Sequence, residues 1–134
     1  MTAQPEDNPK IEELLAEVKD WQLLHEMSTR LMQVAGVVGQ LEIVLEVASC
    51  LAGGECGVIS LYCPEQNGLM TCTTRGLNEE ALDAISRVGI GEGACGLAFK
   101  ECSRVVISDT ETDARYAGWR QLSWPVALTH YFCY

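Results

Sequence analysis

One thiol and one loop carry most of the chemistry this chain could perform. Cys95 stands in the run Gly93-Ala94-Cys95-Gly96, at the start of a helical turn. A thiolate held at a helix N-terminus has a lowered pKa, which suits a nucleophile or a redox sensor. The loop is Asp109-Thr-Glu-Thr-Asp113-Ala-Arg115-Tyr116, with two carboxylates four residues apart. A metal site would need more ligands with fixed geometry, so the plainer reading is capping. Asp109 and Asp113 then accept backbone N–H bonds at a strand end and at the start of a helical turn. Gly91-Glu92-Gly93-Ala94-Cys95-Gly96 also matches the G-x-G-x-x-G dinucleotide fingerprint. That fingerprint requires a long buried strand before it and a crossover helix of about ten residues after it. Here only residues 87–90 precede the loop, and the next β-branched run begins at Arg104. The glycines are better read as a tight turn that brings a helix start close to a sheet, where exposed N–H groups are able to hold a carboxylate or phosphate.

The elements around these residues follow from pattern and punctuation. Residues 1–9 hold two prolines among polar side chains and read as a disordered leader. From about Pro9 the spacing predicts a helix, with Ile11, Leu14 and Val18 in a heptad-like stripe that resumes at Leu24, Met27, Leu31, Val34 and Val38. Between Val18 and Met27 the steps run in threes through Trp21 and Leu24, so the register slips there. A stripe of this length ahead of a domain points to a coiled-coil-like pairing with a second copy. Gly36 and Gly39 interrupt it where the globular part, 39–134, is expected to begin.

Residues 41–51 form a second helix with apolar positions 41, 44, 45, 48 and 51, closed by Gly53-Gly54. Strands are expected at 56–62 and 69–75, joined by PEQNG, whose Asn-Gly step is a strong hairpin signal. Either Val58, Ser60 and Tyr62 or Ile59 and Leu61 face the core. Residues 78–86 read as a short helix capped by Asn78, a helical turn spans 94–100, and RVVIS at 104–108 is a third strand.

Composition narrows the function. The formal net charge of −10 argues against nucleic acid or an anionic membrane as partner. No apolar run reaches the roughly 18 residues of a membrane span. The polar, acidic N-terminus resembles neither a signal nor a transit peptide, which points to the cytoplasm. Seven cysteines without a C-x-x-C pair, and two distant histidines, His25 and His130, make a zinc site improbable. The expected state of the cysteines is reduced and mostly buried.

In order and type, these runs resemble a GAF domain over about residues 21–120: helix, hairpin GVISLY/LMTCTTRG, helix NEEALDAI, then GEGACGLAFKECSRVVISDTETDARY. The resemblance is to the sensory modules of bacterial signalling proteins such as histidine kinases, where a coiled-coil helix usually precedes the domain. It implies an α+β fold, an antiparallel sheet with flanking helices, and a ligand pocket between the sheet and its covering loops. Gly93, Cys95, Phe99, Asp109, Asp113, Arg115, Tyr116 and Trp119 are its implied wall. It further implies a small-molecule-sensing or dimerising regulatory role without catalysis, a homodimer through the N-terminal helix, and an effector domain elsewhere in the protein.

Within that family the cyclic-nucleotide motif N-K-x-x-F is missing, and no Cys-His dipeptide offers a bilin attachment point. Both ligands are therefore disfavoured, and the ligand stays unassigned. The alternative is an enzyme similar to free methionine-R-sulfoxide reductases, which share the G-x-C-G turn around Cys95. Those enzymes use partner cysteines in stretches that here, at 84–90 and 113–119, contain none. Beyond Leu122 the family pattern fails. Residues 126–134 offer one strand where the family has two more strands and a closing helix. The expectation is an incomplete domain whose hairpin and third strand lack a shared neighbour.

Overall fold

The computed structural model describes residues 9–119 and the backbone of residues 131–133. The expected leader lies outside these residues except for Pro9. That residue opens α1, Pro9–Gln33, a position where its missing N–H costs nothing. After a break at 34–36 comes α2, Val37–Ala52, which ends on Gly53 in the left-handed conformation. The sequence reading carried one helix to 38 and opened the globular part at 39. Instead the division between compact units falls between Gly53 and Gly54, and α2 belongs with α1. Arg30 of α1 holds both carboxylate oxygens of Glu46 of α2, at 3.2 and 2.9 Å, and a Cβ at Gly39 would stand 2.7 Å from Val34 Cγ1.

The stripe on α1 has two halves. Ile11, Leu14, Val18 and Trp21 are more than half exposed, whereas Leu24, Met27, Leu31 and Val34, beyond the register slip, are half-buried. On α2 the buried positions are Ile43, Leu45, Val47 and Ser49; of the predicted 41, 44, 45, 48 and 51 only 45 is among them, 41 and 44 being half-buried and 48 and 51 exposed. Residues 43 and 47 form one line along the helix, and 45 and 49 form another on the opposite side. A helix this apolar all round is covered on two sides, and periodicity alone does not pick them.

The second unit holds the sheets. β1, Gly57–Cys63, pairs antiparallel with β2, Gly68–Arg75, through a turn in which Asn67 is left-handed. The register shifts by one, Ile59 opposite Thr73 but Ser60 opposite Thr71, so Cys72 is the extra residue of a bulge. Capped by its Asn78 side chain on the Ala81 N–H at 2.9 Å, α3, Glu79–Ile85, follows as expected. β3, Arg87–Gly89, pairs with β2 and completes a three-stranded sheet in the order β1-β2-β3. Three residues are too short a run to be read from alternation, and this strand was not anticipated.

Next come α4, Gly93–Glu101, and β4, Val105–Ile107. A 3-10 segment, Ala114–Trp119, closes the run. β5, Tyr131–Cys133, is the described part of the strand expected at 126–134, and it pairs antiparallel with β4. Among the described residues no strand joins the two sheets. The core has two clusters. Leu69, Ile85 and Val88 pack over the three-stranded sheet. Ala94, Ala98, Val105, Ile107 and Tyr116 pack where α4 crosses β4. No helix among the described residues is long and apolar enough to cross a membrane.

The cysteines depart from expectation. All six described ones are free thiols, but none is buried: Cys50 and Cys102 are exposed, and Cys56, Cys63, Cys72 and Cys95 are half-buried. Cys63 ends β1, Cys72 is the extra residue of the bulge and Cys102 caps α4, all at ends or irregularities of elements.

Candidate functional site

Where the two core clusters meet, a cavity opens among β1, the end of α3, β3, the start of α4 and the 3-10 segment. Val58, Ser60, Ile85, Val88, Glu92, Gly93, Ala94, Cys95, Tyr116 and Trp119 line it. Thus Val58 and Ser60 form the inward face of β1, while Leu61 and Tyr62 are exposed. With every side chain in place the free space is about 20 Å³, room for a single water.

Each wall is fixed by a local interaction. Thr71 donates from its hydroxyl to Ile85 O at 2.6 Å and stands 3.2 Å from Ser60 Oγ, and its N–H reaches Ser86 O at 3.1 Å. These bonds tie α3 to the sheet beside the cavity. α4 can lie against β3 because Gly96 has no side chain; a Cβ there would collide with the Gly89 carbonyl. Glu92 turns its carboxylate back to accept the Gly89 N–H at 3.0 Å. Around the same turn Gly91 N donates to Gly96 O, Glu92 N to Gly89 O, and Gly96 N to Glu92 O. Four N–H groups of the glycine loop are therefore satisfied within it. The expectation that this loop offers N–H groups to an anion does not hold for these four, because the backbone turns tightly enough to use them itself.

The acidic loop does structural work. Asp109 Oδ1 accepts the Glu111 N–H, and Asp109 Oδ2 the Thr112 hydroxyl, both at 2.9 Å. Asp113 Oδ1 accepts the Arg115 N–H at 2.9 Å. The Arg115 guanidinium grips Asp113 through Nε and Nη2 and donates to Val106 O at 2.9 Å. Those bonds with Asp113 push the Arg115 pKa further up. They pin the loop to β4 and so place Tyr116 and Trp119 over the cavity. No group of three or more potential metal ligands occurs among the described residues.

Of the expected wall, Gly93, Cys95, Tyr116 and Trp119 line the cavity. Asp109, Asp113 and Arg115 stand behind it, and Phe99 points elsewhere, stacked on Tyr62 with ring centroids 5.0 Å apart. The sequence reading missed Val58, Ser60, Ile85, Val88, Glu92 and Ala94. A strand–glycine–helix run signals a tight crossing, and the residues flanking it could have been named from that signal.

No protein-family model matches the sequence, and no curated protein matches it either. Solved structures do. The GAF domain of a phosphoenolpyruvate-protein phosphotransferase from Coxiella burnetii aligns at a TM-score of 0.61 with 15% identity, over 72% of this chain and 57% of that one. A free methionine-R-sulfoxide reductase from Neisseria meningitidis, solved with its substrate, aligns at 0.59 with 18% identity, over 78% and 60%. The NLH2 GAF domain of A. aeolicus, in an inactive state, aligns at 0.58 with 23% identity, over 78% and 62%. This chain spans about six-tenths of the length of each. At such identities the likeness shows the fold: an α+β, GAF-like antiparallel arrangement with flanking helices.

Proposed function

We propose that this chain is a small-molecule-sensing regulatory module of a cytoplasmic signal-transduction protein, of histidine-kinase type, without catalysis of its own. In this reading it dimerises through α1 and acts on an effector domain elsewhere in the protein. The observation that carries the sensing role is the cavity between the two core clusters, roofed by a short segment that the Arg115–Asp113 clamp anchors. A ligand entering there touches the three-stranded sheet, the start of α4 and the 3-10 segment at once and so can change how they pack. Support for dimerisation is the exposed seam Ile11, Leu14, Val18 and Trp21, spaced three, four, three as a two-stranded coiled coil requires.

A second reading, a thiol-dependent reductase of free methionine-R-sulfoxide, has one observation in its favour: Cys95 lines the cavity. Its weakness is chemical. The oxidised thiol must be resolved by a second thiol, and Cys95 is the lone cysteine among the described lining residues.

One experiment separates the readings. Thermal melts against a small-molecule library are expected to reveal stabilising ligands, with the effect lost in Ser60→Leu, which fills the cavity. Free methionine-R-sulfoxide with a thiol reductant is expected to show no turnover. Turnover abolished by Cys95→Ser would replace the sensory reading with the enzymatic one.

A further inference from the structure

Among the described partly buried hydrophobic residues, Trp119 is the one that packs against both core clusters, the Leu69, Ile85, Val88 set and the set that includes Ala94, Ile107 and Tyr116. Its indole lies close against Gly93, where a Cβ would stand 2.8 Å from Trp119 Nε1 and 3.0 Å from its Cε2. Gly93 has φ 58°, so the sequence leaves a bare backbone platform under the ring. Trp119 is half-buried, and with its ring in place the cavity has room for a single water.

From this geometry we infer that Trp119 is a built-in occupant of the site: the cavity takes a planar ring of about indole size, which displaces the Trp119 side chain. This deepens the sensory reading and rests on it. The charge of the ligand follows from the walls. Of the ten described lining residues none is cationic, and Glu92 carries a carboxylate. That carboxylate already stands beside the start of α4, where an anion would otherwise be favoured. The ligand is therefore neutral or cationic, with a hydrogen-bond donor for Glu92, and anions are disfavoured because no described wall residue offsets their desolvation. Displacement also supplies the signal. Once the indole leaves, a described contact that joins the two clusters is replaced by a ligand that is not tethered to the 3-10 segment.

Indole, tryptamine and indole-3-acetate serve as probes. In Trp119→Ala the competitor is gone, so indole is expected to bind at least about tenfold more tightly than to the unaltered chain, since self-occupancy lowers apparent affinity by the fraction of open sites. Tryptamine is expected to exceed indole-3-acetate, with the difference collapsing in Trp119→Ala/Glu92→Gln. Should Trp119→Ala fail to fold alone, indole is expected to rescue its melting transition. A second readout needs no truncation: with 5-fluorotryptophan incorporated, the Trp119 resonance, assigned from Trp119→Phe, is expected to shift on adding indole. Equal indole affinity in both proteins, or an unfolded Trp119→Ala that indole fails to rescue, together with an unmoved Trp119 resonance, would overturn the inference. If another library compound still stabilises the chain in a Ser60-dependent way, the sensory reading stands without it; if nothing does, both fall.

Discussion

At the scale of single residues, the thiols show how far side-chain type alone misleads. Seven cysteines in an apolar sequence read as small buried hydrophobes, yet none of the six whose side chains are described is buried. What decides each one's chemistry is its immediate surroundings. Cys56 is half-buried, and its Sγ donates to Gly76 O at 3.1 Å. Burial first, and then the neighbouring Glu55 carboxylate, push its pKa up. The folded chain thus holds the Cys56 proton more tightly than the unfolded chain does. The stabilising contribution is complete below the ordinary thiol pKa and is lost as pH rises through the raised value. Alkylation by iodoacetamide at mildly alkaline pH, followed by peptide mass spectrometry, is expected to modify the exposed Cys50 and Cys102 well before Cys56. In denaturant the three should react alike. If Cys56 reacted as fast as Cys102 in the folded protein, its proton would not be held as described.

At the scale of elements, local punctuation was the most legible part of the sequence. Asn78 capped the helix it was expected to cap, the hairpin turned within the expected 64–68 run with Asn67 left-handed, and the order of helices and strands followed the pattern. Three things were not legible, each for a physical reason. The three-residue β3 is defined by its ladder to β2, a non-local fact. Which way β1 faces depends on what lies on each side of the sheet, and the bulge at Cys72 then shifts the partner strand's alternation. The covered sides of α2 depend on tertiary packing, since apolar residues surround the helix. That difference is measurable by truncation. Leu45 is 7% exposed and Leu51 is 39% exposed, although the sequence pattern placed both on one buried stripe. Leu45→Ala is expected to cost about 2–4 kcal/mol through lost burial and a residual cavity. For Leu51→Ala the expected cost is under about 1 kcal/mol, because much of its surface is already in water. Urea unfolding of the two variants checks this, and comparable losses would restore the stripe read from periodicity.

At the scale of the whole molecule, charge and the exposed seam act against each other. A chain of net charge −10 repels its own copy, while Ile11, Leu14, Val18 and Trp21 present apolar surface that water disfavours. The seam is short: beyond Trp21 the register slips and the apolar residues of α1 become half-buried. Two heptads of contact give weak association, so the proposed dimer is expected to depend on protein concentration and on salt. Raising ionic strength from about 0.01 M to about 1 M shortens the screening length from roughly 30 Å to roughly 3 Å. That removes most of the repulsion and leaves the apolar contact intact. Sedimentation velocity is expected to show the dimer fraction rising with salt, and a Leu14→Glu/Val18→Glu variant is expected to stay monomeric throughout. Leu24 and Leu31, on the same predicted stripe, are poor choices for this test, because they are half-buried within the chain and charges there would disturb folding as well. Association that weakened with salt would instead point to ion pairing as its cause, and a charged seam that still dimerised would place the contact away from α1.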